Sequence, residues 1–233
     1  MFTLYSSPGT ADARSLSPFA WKAEALLKLS GKPYQVEYPA DFSDMPYGKV
    51  PVLKDGGKLI PDSSLIQQYL EQHYGLDVDG HLTAEQKAIA QAFRRMTEEH
   101  LYWTNVYARW LTAEGKSFLM KNVFAALPEE VREPAFAQIA EKSRRQLDMH
   151  GIGKHPQEQI YAFGCADIEA ISTYLGGKDF FFGDKISSLD CAVAPVVAGF
   201  LDNDFATPMS DLIRSMPNLS AYVERFDKAV FGG

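Results

Sequence analysis

The first 75 positions switch between strand and helix spacing, and the apolar residues from Thr83 onward keep helix spacing alone. FTLY at 2–5 is a short apolar run that predicts a buried strand, followed by a long polar loop over 6–16. Ser17-Pro18 predicts a helix start, with serine at the N-cap and proline at the first helical position. Phe19, Ala23, Leu26 and Leu27 carry that helix to Gly31, and Pro33 stands beyond it as a stop. YQVEY at 34–38 alternates as a strand does, and a loop through 41–49 leads to a strand over 51–54. DGG at 55–57 predicts a tight hairpin with its return strand at 58–60, and a helix follows from about 63 to 74, ended by Gly75.

This β-α-β, loop, β-β-α order describes a small α/β layer domain over 1–75. GLDVDGHL then reads as a polar linker, with 76–83 joining the first domain to an all-helical second one over 84–233. Thr83 and Gln86 are spaced as a capping box. Ile89, Phe93, Met96, His100, Trp103, Tyr107 and Trp110 recur every three or four positions, which predicts a helix of more than roughly 25 residues with a strongly aromatic face. Further helices are expected over 117–126, 134–150, 156–175, 188–201, 208–215 and 218–230, with Pro134, Pro156 and Pro208 at or near helix starts.

Composition narrows the function classes. With 46% hydrophobic and 23% charged residues the chain reads as an ordinary soluble globular protein, and a net charge of −7 argues against nucleic acid or an anionic membrane as partner. Cys165 and Cys191 lie in apolar helical patterns, where they are expected as core thiols in a reducing compartment, with no disulfide framework. The start lacks a basic region and cleavage site, and no apolar window is long enough to span a bilayer, so a cytoplasmic protein with no membrane partner is expected. The histidines show no ligand spacing, and no metal is expected.

The chemistry gathers in GKVPVLKDGGKLIPDSSLIQQYL, residues 48–70. Proline cannot donate to a sheet ladder, so Pro51 at the head of an apolar strand needs a reason. This stretch resembles the second half of the thioredoxin-like domain of glutathione transferases: a proline in cis before a strand, a hairpin, then an acid–serine pair opening a helix. FFFGDKISSLDCAVAPVV resembles the second signature of that family, a capping box in which Ser187 is the N-cap and Asp190 the third helical residue. SLSPFAWKAEALLKLSGKPYQVEY and EEHLYWTNVYARW are similar to the failed-axon-connections and metaxin-like branch of the superfamily. The resemblance covers essentially the whole chain. It implies an α/β thioredoxin-like N-terminal domain and an all-α C-terminal domain.

The resemblance also assigns residues. Val50, ahead of a cis Pro51, would offer its N–H and C=O to the cysteinyl unit of glutathione, strand addition on a very small scale. Ser63, at or near the helix start, would grip the γ-glutamyl carboxylate, where free amides and the helix dipole favour an anion. Asp62 would accept from the ligand ammonium. Lys49 or Lys32 would meet the glycine carboxylate, and Arg14 is a further candidate for a ligand carboxylate. The thiol of glutathione must ionise to attack, and Ser17 supplies both a hydroxyl and a helix N-terminus. Tyr5 is the second candidate for that task. His100, Trp103 and Tyr107 are expected to hold the electrophile.

The chain is therefore expected to be a glutathione transferase-like enzyme, homodimeric by resemblance, with glutathione as co-substrate and an unidentified electrophile. Two alternatives stand beside it. One is a non-catalytic, metaxin-like adaptor; the other is a glutathione-dependent peroxidase or reductase, disfavoured in its disulfide-exchange form because serine, not cysteine, occupies position 17.

Overall fold

The structure, a computed structural model, describes residues 1–11, 13–201 and 205–232. In chain order its elements are β1 (Phe2–Tyr5), α1 (Pro18–Leu29), β2 (Tyr34–Glu37), β3 (Val52–Asp55), β4 (Lys58–Pro61), α2 (Ser63–Tyr74), α3 (Ala84–Met96) and α4 (Tyr102–Leu111), followed by α5 (Ala113–Asn122), α6 (Glu129–His150), α7 (Gln157–Leu175), α8 (Ser188–Ala198), α9 (Pro208–Arg214) and α10 (Pro217–Phe231). They form two compact units. One contains Met1–Ala92, Gly177–Gly199 and the chain from Ala221 onward; the other contains Phe93–Gly176 and Phe200–Ser220.

The sheet unit has four strands in the order β2-β1-β3-β4. β1 runs parallel to β2 and antiparallel to β3, and β3 is antiparallel to β4. Register sorts the side chains by face. Leu4 pairs with Leu53 and Leu53 with Ile60, all buried, whereas Thr3 pairs with Gln35 and Lys54 on the polar face. α1 crosses between the parallel strands and packs against α2 and α8. Ser17 starts α1 as its N-cap, accepting from Ala20 N–H at 3.3 Å, and Gly75 ends α2 in the left-handed region at φ 71°.

α8 opens on the expected box. Buried Asp190 accepts from the Ser187 N–H at 2.8 Å and the Ser187 hydroxyl at 2.6 Å. Its other oxygen accepts from the Phe181 N–H at 3.0 Å and the Tyr222 hydroxyl at 3.1 Å, tying α8 to the preceding loop and to α10.

At the hairpin end, Asp55 accepts from the Tyr69 hydroxyl at 2.8 Å and also from the Tyr74 hydroxyl. These two donors, Tyr74 first, hold the Asp55 carboxyl below the usual carboxylate range. A depressed folded-state pKa adds stability that is present above the unfolded value of about 3.9 and is lost as pH falls through the folded one. Asp55→Asn is therefore expected to lower the urea midpoint at neutral pH by an amount that shrinks on acidification below about pH 4. A gap independent of pH would assign the loss to packing instead.

The second unit is helical. α4 packs on α5, α6 and α7, and α7 packs on α9. Gly164 permits the last two contacts, because a Cβ there would lie 2.4 Å from Met209 Sδ and 2.8 Å from Thr104 Oγ1.

Several boundaries differ from expectation. The helix expected across 83–110 is present, with an unexpected π-helical turn, Thr97–Leu101, between α3 and α4. α5 starts at Ala113 rather than near 117, because the Thr112 hydroxyl accepts from the Gly115 N–H at 3.1 Å. α6 starts at Glu129, with Glu129 and Glu130 favourably placed in its first turn, and Pro134 lies inside the helix rather than at its head. Cys191 is a core thiol as expected, but Cys165 is only half-buried.

Candidate functional site

The Val50–Pro51 peptide bond is cis, in keeping with the sequence pattern. The Pro51 carbonyl accepts from the Asp62 N–H at 3.2 Å, fastening the head of β3 to the head of α2. Neither polar group of the Val50 main chain has a protein partner among the described residues. Lys49 precedes it and is exposed.

Asp62, rather than Ser63, is the N-cap of α2. Its Oδ1 accepts from the Ser64 N–H at 2.7 Å and the Leu65 N–H at 3.4 Å, so the capping role expected near Ser63 falls one residue earlier. Asp62 does so at φ 71° and ψ 132°, a conformation an L-residue adopts at a cost of about 1–3 kcal/mol. Ser63 becomes the first residue of the helix. It is only 3% exposed, and neither its hydroxyl nor its N–H is bonded within the described residues. Two donors thus stand together at the positive end of a twelve-residue helix.

Lys22 joins this corner to α1. It is 1% exposed, and its Nζ lies 3.4 Å from Ser64 Oγ. Its signal in the sequence is a lysine on the apolar face of α1, four residues from both Pro18 and Leu26.

The long loop after β1 is organised by serines. Ser7 Oγ and Ser15 Oγ lie 2.8 Å apart, Ser15 donates to the Ser7 carbonyl at 2.9 Å, and both hydroxyl oxygens accept from the Ser17 N–H at 3.2 Å. Ser6 donates to the same carbonyl at 3.3 Å. The protons of Ser6, Ser7 and Ser15 are thereby used within the loop. Ser17 Oγ only accepts, and its proton has no acceptor among the described residues. Tyr5 ends β1 half-buried, opposite Val52, with its hydroxyl likewise unbonded.

Two candidates are engaged elsewhere. Arg14 is paired with Asp227 at 2.7 Å and lies over the Phe231 ring at 3.8 Å. Lys32 is over the Tyr74 ring at the C-terminal end of α2. A twelve-residue helix is about 18 Å long, so Lys32 stands far from Ser63.

The helical unit carries His100, Trp103 and Tyr107. His100 sits in the π-helical turn, and its Nδ1 lies 2.6 Å from Asp167 Oδ2 on α7. Burial pushes the Asp167 carboxyl up, and the His100 contact draws it back down. The His100 ring is tilted against Phe163, centroids 5.8 Å apart. Trp103 is 5.1 Å from the His150 ring, and Tyr107 meets Tyr161 edge-on at 6.2 Å. Trp103 and Tyr107 also pack on the buried cluster of Val106, Leu147, Ile152 and Ile160, so part of the aromatic face serves the core. Asp167 was missed from the sequence. It is 67 residues from His100, and its only signal is a lone acid on the buried stripe of α7.

Known proteins resolve the family. A family model described as the glutathione S-transferase N-terminal domain matches residues 18–115, and one for the C-terminal domain matches residues 164–226. The chain is 31% identical over 240 residues to the isoprene-epoxide–glutathione S-transferase of Rhodococcus sp. (strain AD45), with 98% of each chain covered. The chain belongs to the glutathione S-transferase family. A glutathione S-transferase of Ceriporiopsis subvermispora, solved in complex with glutathione, has the same fold, with a TM-score of 0.65, 22% identity and 97% and 96% of the two chains covered. The chain is also 32% identical over 241 residues to Failed axon connections of Drosophila melanogaster, spanning 98% of this chain and 57% of that protein. Among its described residues no helix is long and apolar enough to cross a membrane.

Proposed function

We propose that this chain is a glutathione transferase that binds glutathione in the sheet unit, stabilises its thiolate and conjugates it to a small electrophile. The observation that carries the proposal is the pairing of Val50's unbonded main chain with the unbonded hydroxyl and N–H of Ser63, fastened through Pro51 and Asp62. Val50 pairs with the cysteinyl backbone, Ser63 holds the γ-glutamyl carboxylate, and the Asp62 oxygen not used in capping accepts from the ammonium. Lys49 meets the glycine carboxylate. The Ser17 hydroxyl donates to the sulfur, with Tyr5 as the second candidate. His100, Trp103 and Tyr107 hold the electrophile. The Rhodococcus relative is named for an epoxide of isoprene, which makes small epoxides the first class to try. The working form in this reading is a cytoplasmic homodimer without nucleic acid, membrane or metal partners.

Retention on immobilised glutathione tests the binding half. The wild type is expected to be retained, and Ser63→Ala and Asp62→Gly to pass through. Asp62→Gly should stay within about 1 kcal/mol of wild-type stability, because glycine caps nearly as well as aspartate and relieves the positive φ. Undiminished retention of both variants removes the assignment. The similarity to Failed axon connections favours one second reading, an adaptor that kept the fold without the chemistry. Absence of a heat of binding at millimolar glutathione would select it.

A further inference from the structure

The last turns of α1 and α2 end at one cavity. Its volume is about 310 Å³, at the lower end of the roughly 300–1,000 Å³ typical of small-molecule sites. Ser30, which caps α1, and Gly75, which caps α2, lie on its wall, and Lys185 lines it from the loop before α8. All three belong to the sheet unit, as does the segment that follows Gly75. Both helices are twelve residues long and start at the Ser17 and Asp62 end. The cavity therefore lies about 18 Å along them from the glutathione corner.

Its charges are opposite and unspent. Asp77 and Lys185 both line the cavity, and neither side chain makes a hydrogen bond or an ion pair within the described residues. The Asp77 carboxylate lies against bare main chain. A Cβ on Gly80 would be 2.2 Å from its Oδ2 and 2.7 Å from its Oδ1, so glycine leaves it room. Beside it are two helix C-termini, each carrying about half a negative charge, and that end of the cavity favours a cation. An anion falls to Lys185, because the nearby N–H groups of Ser187 and Ser188 are taken by Asp190 at 2.8 Å and Asp79 at 2.7 Å. The Ser30 hydroxyl is spent on the Leu27 carbonyl at 2.6 Å. Leu29, Leu76, Val78 and Ile186 supply the apolar part of the wall, and His81 completes it. Opposite charges that share a small, partly apolar cavity without pairing suit a molecule that carries both.

We propose that this cavity is a second binding site, for a free amino acid with an apolar side chain. Asp77 takes the ammonium, Lys185 takes the carboxylate, and the aliphatic wall takes the side chain. The site is independent of the transferase reading, since it shares no residue with the glutathione corner.

Calorimetry on the full chain tests it with three probes: L-leucine, leucinamide, which lacks the carboxylate, and N-acetylleucine, which lacks the ammonium. L-Leucine is expected to give a saturable heat at millimolar concentration. Each derivative should bind about tenfold more weakly or worse, the effect of one lost charge-assisted hydrogen bond. Lys185→Met should weaken leucine about tenfold and leave leucinamide unchanged. Asp77→Asn should weaken leucine similarly and leave N-acetylleucine unchanged. A general loss of structure cannot produce that crossed pattern. Ser63→Ala should bind leucine as the wild type does. No heat with leucine, equal binding of the three probes, or loss of the leucine heat in Ser63→Ala overturns the proposal.

Discussion

Asp190→Ala is expected to cost about 3–5 kcal/mol of unfolding free energy, read as a lower urea midpoint with an unchanged slope. The carboxylate is fully buried and accepts four hydrogen bonds, two from main-chain N–H groups and two from hydroxyls. Alanine strips the acceptor from the Phe181 and Ser187 amides and from two hydroxyls, and a buried donor that loses its acceptor costs about 1–3 kcal/mol. It also removes half of a capping box, worth about 1 kcal/mol. Two milder variants grade the effect. Tyr222→Phe deletes one donor and should cost about 1 kcal/mol. Asp190→Asn keeps one acceptor but turns an NH₂ group toward existing donors, and should fall between the two. If Asp190→Ala came within 1 kcal/mol of wild type, the network would not be a principal support of the sheet unit.

Ser17→Ala is expected to lower kcat for glutathione conjugation by about 10²-fold, equivalent to about 2.7 kcal/mol of transition-state stabilisation. The hydroxyl accepts from the first turn of α1, and among the described residues its proton has no acceptor, unlike those of Ser6, Ser7 and Ser15. A donor to the sulfur favours thiolate over thiol, which in free glutathione has a pKa near 8.5. The pH–rate profile should accordingly rise at higher pH in the variant than in the wild type. Because alanine also weakens the cap, Ser17→Gly is the necessary companion: glycine costs the helix only a few tenths of a kcal/mol yet lacks the hydroxyl. Both variants should lose turnover alike. Wild-type rates in Ser17→Gly would move the role to Tyr5, and Tyr5→Phe would then carry the loss.

The parts legible in the sequence are those set by neighbours along the chain. Ser17-Pro18, Gly75 and the Thr83–Gln86 box mark helix ends because caps act within four residues, and all three stand where expected. The strand order follows from a hairpin and a βαβ unit, both local signals. Pro51 with the acid–serine pair gave the candidate glutathione corner, although the cap itself sits on Asp62. What stayed hidden depends on partners far away in the chain. Arg14 is paired with Asp227, 213 residues away, and His100 with Asp167, 67 residues away, and neither pairing has a local signal. The π-helical turn was also invisible. One extra residue in a turn leaves the apolar repeat of an adjoining helix nearly unchanged. Periodicity says that α8 and α10 bury a face, but not that they bury it in the unit that holds the sheet.

That last arrangement bears on how the protein is made. The sheet and its two helices emerge from the ribosome before α8, which packs on α1 and is more than a hundred residues downstream. At about 5–20 residues per second, the nascent chain carries an uncovered apolar surface for several seconds to tens of seconds. Expression of residues 1–75 alone should yield sticky, poorly soluble material, and the 233-residue chain should depend on holding chaperones during translation.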